Sequence, residues 1–151
     1  MNSAVVRGWM YRARGLRLAS NEPSRMTTTP SVLLIEDHVD TRHMVEEYLQ
    51  LHGFATITAE NGLDGLGKLR QYCPSLILLD LTMPVMDGWR FREEQQRLTE
   101  ALARIPVVVL SALHDCAKHA QALGAIDCLT KPIDLDKLAA LVGRLCVSTA
   151  I

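Results

Sequence analysis

The stretch Ser75–Gly88, SLILLDLTMPVMDG, leaves the rest of the chain few choices of fold. Leu76 to Leu79 are apolar without a break and run straight into a carboxylate, Asp80. A continuous apolar run of this length reads as a strand buried on both faces, as in a parallel sheet. A lone carboxylate in the middle of such a strand is very costly, so Asp80 belongs at its carboxyl end, where the chain leaves the sheet. In open α/β sheets that edge is where ligands bind. Taken alone, an Asp here reads more simply as a turn residue or a helix cap. The residues that gather around it decide the matter.

From Ser31 onward, strand-like and helix-like segments alternate. Val32–Ile35 is a short apolar run ending in Glu36-Asp37. Val39–Leu51 carries apolar residues near helical spacing and is stopped by Gly53. Phe54–Ala59 reads as a less apolar strand at the sheet edge, and Gly62–Tyr72 as a helix. After the Leu76–Asp80 strand come a helix over Trp89–Leu98, a buried strand over Pro106–Leu110 and a helix over Asp115–Leu123, stopped by Gly124. A short strand over Ile126–Leu129 and a last helix over Leu135–Cys146 complete the pattern. The run Arg92-Glu93-Glu94 reads as a solvated helix face. Strand–helix repeated five times predicts an α/β fold. It is a doubly wound, five-stranded parallel sheet of order 2-1-3-4-5 with helices on both faces, flavodoxin-like in topology.

Composition bounds the function. The chain has 151 residues, enough for one domain with a real core, and a formal net charge of −1. That balance hides an asymmetry. Residues 1–25 hold five arginines against Glu22 alone, a net of +4, which leaves −5 for the remainder. There is no general basic excess to suggest direct nucleic-acid binding, and no apolar run long enough to span a membrane. Residues 1–29 are expected to be a basic, flexible extension and residues 30–148 the folded domain. The leader's Arg-rich, acid-poor make-up faintly resembles a transit peptide. A flexible tail or an upstream start codon, with Met26 the true first residue, is the simpler reading, and a short helix over Val5–Leu18 is a further expectation. The four cysteines, Cys73, Cys116, Cys128 and Cys146, form no CxxC pair and are expected as reduced thiols in a cytoplasmic protein.

In a parallel sheet all carboxyl ends face one side. That edge receives Glu36 and Asp37, Asp80, Ser111 and Lys131. Three clustered acids repel, and a hard divalent cation such as Mg²⁺ relieves them with oxygen ligands. A carboxylate can also attack phosphorus and give an aspartyl phosphate. Its phosphoryl oxygens then call for the metal, a hydroxyl and a cation, which Ser111 and Lys131 supply. Glu36, Asp37 and Asp80 fit as metal ligands, and Asp80 as acceptor also. The backbone C=O of Thr82 would add to the shell. The sequence Gly62–Leu69 nearly spells a P-loop, but Leu69 stands where a metal-binding hydroxyl is needed and Asp64 would repel phosphate.

The chain from about Val32 to Cys146 resembles the receiver domain of two-component response regulators. The resemblance rests on EDH (36–38), LLDLTMPVMDG (78–88), LSA (110–112) and TKP (130–132), in order on the strand–helix pattern. It implies that Asp80 takes a phosphoryl group from a histidine kinase or phosphotransfer protein, with Mg²⁺ held by Glu36, Asp37, Asp80 and Thr82. Ser111 would be the hydroxyl switch, Ala112 the small residue that leaves the phosphoryl group accessible, and Lys131 the phosphoryl contact, followed by a cis peptide to Pro132. One position departs. Receivers usually carry Tyr or Phe where this chain has Cys128, so the relay by burial of an aromatic ring is missing. Leu113 cannot orient a hydrolytic water, which predicts slow to moderate self-dephosphorylation.

The resemblance implies a signalling module rather than a conventional enzyme. Its output would pass to a separate partner protein through the face of the fourth helix, fifth strand and fifth helix. Two alternatives stand beside it. A haloacid-dehalogenase-type phosphatase would need a second acid where Thr82 stands. A pseudo-receiver binding module would not need the intact Asp80, Ser111 and Lys131.

Overall fold

The computed structural model describes residues 29–148. The basic leader and the helix considered within it lie outside these residues. The strands are β1 (Ser31–Ile35), β2 (Ala55–Ala59), β3 (Leu76–Asp80), β4 (Val107–Ser111) and β5 (Asp127–Thr130). The helices are α1 (Val39–Leu51), α2 (Gly62–Tyr72), α3 (Gly88–Gln96), α4 (Glu100–Ala103), α5 (Cys116–Leu123) and α6 (Leu135–Ser148). The strands form one sheet of order β2-β1-β3-β4-β5, every pairing parallel, as the alternating pattern predicts. The less apolar β2 is at an edge.

Strand side chains alternate between the two faces, and this alternation builds two cores from one run of residues. Val32 and Leu34 pack with Leu76, Leu78, Val108 and Leu110 beneath α1 and α6, through Val45, Leu49, Leu138 and Val142. Leu33 and Ile35 pack with Ile77 and Leu79 on the other face, beneath α2 and α3, through Leu66, Leu69 and Phe91. Leu81 and Val109 meet α5 in a third cluster with Cys116, Ala120 and Leu123. All residues of β3 and β4 are buried, which is why their sequences carry no polar alternation.

Three features differ from the sequence expectation. The first is α4, a single turn of helix in the connection before β4. The second is the supposedly solvated face of α3. Arg92 is partly buried, and its guanidinium donates to the carbonyls of Leu123 (2.8 Å) and Gly124 (3.3 Å) at the end of α5. Burial lowers its pKa from the usual guanidinium value. Gln95, fully buried, donates through Nε2 to the carbonyls of Leu102 (3.0 Å) and Ile105 (3.1 Å), which closes the turn around α4. The third is the cysteines. Cys116 and Cys128 are joined by a disulfide, with Cα atoms 5.9 Å apart, while Cys73 and Cys146 keep their thiols. The first turn of α5 lies against β5, and that packing brings residues 12 apart in sequence within the span a disulfide bridges.

Gln95→Leu removes the amide donor to the Leu102 and Ile105 carbonyls and takes from Arg92 Nη1 its acceptor, Gln95 Oε1 at 2.8 Å. It is expected to destabilise the domain by about 2 kcal/mol, read as a lower urea midpoint at unchanged slope.

Candidate functional site

The site is built from strand ends. Glu36 follows β1, Asp80 ends β3, Ser111 ends β4 and Lys131 follows β5. Parallel pairing puts these ends on one edge, with Asp80 opposite Leu110 and Ser111 opposite Thr130. Glu36 is 0% exposed and Asp80 5%, so two carboxylates sit in the sheet's low-dielectric rim.

Lys131 Nζ reconciles them. It donates to Glu36 Oε2 at 2.6 Å and stands 3.3 Å from Asp80 Oδ2. The backbone N–H of His38 donates to Glu36 Oε1 at 3.1 Å, and that of Thr82 donates to Asp80 Oδ1 at 3.3 Å. Burial alone raises the Asp80 pKa, the Glu36 charge raises it further, and Lys131 and the Thr82 amide oppose both; the outcome is about 6. For Lys131 burial works downward, but its hydrogen bond to Glu36 and the Asp80 charge outweigh it and the value rises.

Glu36, Asp37 and Asp80 each place a carboxylate oxygen within 4.8 Å of the others. This set of hard oxygen donors at one open edge fits a divalent cation that accepts carboxylates and water, as Mg²⁺ does. Asp37 is half-buried and Thr82 exposed, so the cluster faces solvent on that side.

Of the residues singled out from sequence, Glu36, Asp37, Asp80 and Lys131 come together. Ser111 is at the same edge, but its Oγ accepts the Leu113 N–H at 3.0 Å, so its hydroxyl is held by its own loop. Ala112 and Leu113 are exposed beside it. Cys128 lies opposite Val109, beneath α5, in the disulfide with Cys116. The Lys131–Pro132 peptide is cis. His38 is exposed and caps α1, its Nδ1 accepting the Thr41 N–H at 3.4 Å.

Two supporting residues have roles that the sequence reading does not assign. Arg42 Nη1 donates to the carbonyls of Glu36 (2.9 Å) and Asp37 (3.3 Å), holding the backbone that carries both acids. Its place on the first turns of α1 after an acidic pair was the only available sign. Gly88 is the other. A Cβ there would collide with the Asp80 carbonyl oxygen and the Leu81 backbone, and its N–H donates to Leu81 O at 3.0 Å. The turn after β3 thus packs directly on the strand end that bears Asp80, with Asp87 capping α3.

Because the folded-state pKa of Asp80 is raised, Asp80 favours folding when protonated, below about pH 4. That contribution is lost as pH climbs through about 6. In metal-free buffer at pH 8, Asp80→Asn is expected to stabilise the domain by about 1–3 kcal/mol in urea unfolding. At pH 4 the difference from the unmodified chain is expected to vanish; a gain of the same size at both pH values would contradict this account.

Comparison with known proteins agrees with the geometry. The profile of the response regulator receiver domain matches residues 32–143. The chain is 33% identical over 121 residues to the regulatory protein AtoC of Escherichia coli, covering 79% of this chain and 26% of AtoC. It is 35% identical over 118 residues to the DNA-binding regulator RpaA of Synechocystis, covering 77% of this chain and 48% of RpaA. The chain therefore spans half or less of the length of these relatives. Among solved structures, the receiver domain of Francisella response regulator 1452 superposes with a TM-score of 0.72 at 26% identity, covering 80% of this chain and 98% of that one. A doubly wound sheet, an acidic cluster at its carboxyl edge and a profile match over most of the length place this chain in the family of response regulator receiver domains.

Proposed function

We propose that this receiver domain is the phosphoacceptor of a two-component relay, with Asp80 taking the phosphoryl group from a histidine kinase or phosphotransfer protein. The observation that carries this reading is the grouping of Asp80 with Glu36, Asp37 and Lys131 at one strand edge. An Asp80 carboxylate oxygen attacks phosphorus as the P–N bond of the donor phosphohistidine breaks, the electron pair leaving with the imidazole. Glu36, Asp37, Asp80 and the Thr82 carbonyl would hold Mg²⁺, which when bound offsets charge on the phosphoryl oxygens. Lys131 exchanges its partner on Asp80 for a phosphoryl oxygen while retaining Glu36. Ser111 turns its hydroxyl from the Leu113 amide toward the phosphoryl group, and Ala112 leaves that approach open.

The domain accepts and loses a phosphoryl group rather than turning over a substrate. Its output goes to a partner protein over the α5–β5–α6 face, where Ile126 is exposed. None of the described helices is long and apolar enough to cross a membrane. A cytoplasmic setting suits a domain that receives phosphate from a histidine kinase.

With Mg²⁺ and radiolabelled acetyl phosphate, the unmodified chain is expected to incorporate label and Asp80→Ala to incorporate none. Persistent labelling of that variant would overturn the assignment. The exposed Leu113 has no group to orient a water, so the phosphorylated chain is expected to persist well beyond seconds in a chase experiment.

A further inference from the structure

Position 128 is doubly unusual. It lacks the aromatic ring of the family pattern, and its sulfur is bonded to Cys116 at the start of α5. Both cysteines sit in the small cluster formed with Leu81, which follows Asp80, and Val109, two residues before Ser111. The connection from Ser111 to Cys116 is short, and it is held at both ends. At one end Ser111 Oγ accepts the Leu113 N–H, and Ser111 O accepts the Lys131 N–H at 2.9 Å. At the other, the disulfide fixes Cys116 to β5, and Asp115 before it adopts a left-handed backbone with φ 60°. Turning the Ser111 hydroxyl toward Asp80 gives up the Leu113 N–H, and the loop that must absorb that loss is tied down at its far end by the disulfide.

We propose that Cys116 and Cys128 are a reversible thiol–disulfide pair whose closed form restrains the Ser111–Cys116 loop and acts as an oxidative brake on the Asp80 site. The brake rests on the phosphoacceptor reading above; the thiol pair itself does not.

The chemistry needs an oxidant of the peroxide class. Cys128 lines a surface groove with Ala117, Gln121 and Ile126, whereas Cys116 is buried, so the peroxide meets Cys128 first. The Cys128 thiolate attacks the peroxide O–O bond and becomes a sulfenic acid, and the other oxygen leaves as water after taking a proton. The Cys116 thiolate then attacks the sulfenic sulfur and the S–O bond breaks, expelling hydroxide that takes a proton and leaves as a second water. The two thiols lose two electrons and the peroxide gains them. A dithiol reductant reverses the bond by exchange and ends as its own disulfide. The other two cysteines fit this selectivity. Cys73 is exposed just past the end of α2, and Cys146 is buried in the opposite core, where burial raises its thiol pKa.

The test uses the full chain carrying Cys73→Ser, which removes the exposed thiol and intermolecular pairing. Hydrogen peroxide is expected to abolish two thiols per chain and yield one cross-linked peptide pair, 116 with 128, reversed by dithiothreitol. The added Cys116→Ala change is expected to prevent it. A chain that forms no such cross-link, or one through Cys146, overturns the pair. Mg²⁺ with beryllofluoride is then titrated calorimetrically into the oxidised and reduced chain. The oxidised chain is expected to bind at least about fivefold more weakly, a typical size for coupling between two sites. Equal affinity overturns the brake. Absence of binding in both states, with the cross-link formed, sinks the phosphoacceptor reading and the brake together and leaves the thiol pair standing.

Discussion

Two carboxylates lie almost out of water at the rim of the sheet, and one ammonium makes that arrangement tolerable. Without Lys131, Glu36 and Asp80 would face each other as unpaired charges in a low-dielectric pocket, a state proteins avoid by neutralising one of them. The raised pKa of Asp80 shows that the compensation is incomplete. Burial is the larger cause and the Glu36 charge the smaller, and together they leave the Asp80 carboxylate short of partners. Three acids clustered at one open rim are a set of hard oxygen donors of the kind that suits a divalent cation. Parallel pairing ends the strands at one rim, and that is what lets Lys131 reach two acids that come from β1 and β3.

This dependence runs through the backbone as well as the charges. Arg42 holds the carbonyls behind the acidic pair, and Gly88 lets the following turn press on the Asp80 carbonyl. The near P-loop at Gly62–Leu69 has the same kind of explanation. A Cβ at Gly62 would crowd Met86, and one at Gly65 would strike Ile35. Those glycines serve close packing of α2 on the sheet and on the turn after β3. Their resemblance to a phosphate cradle is a by-product of tight packing.

Much of this was legible in the residues. Unbroken apolar runs at Leu76–Leu79 and Val107–Leu110 announce strands covered on both sides, and the weaker Ala55–Ala59 announces an edge. Once parallel pairing is inferred, the acids, Ser111 and Lys131 fall on one rim without further information. What stayed hidden depends on which surface a side chain meets. Arg92 and Gln95 sit in a polar run that looks solvated, yet they face the end of α5 and the turn at α4. No periodicity in α3 reveals its neighbours. The cysteine pairing was equally hidden, because its partners are joined by the angle at which α5 lies on β5, and linear spacing does not encode that angle.

The Arg92 contacts bear on how α5 can move. Its guanidinium grips the last carbonyls of that helix, at Leu123 and Gly124, while the sulfur bridge grips its first turn. A rod clamped at both ends is part of the frame. Released at its first turn alone, it becomes a lever hinged near Gly124, and the displacement is then largest at the end nearest the acids.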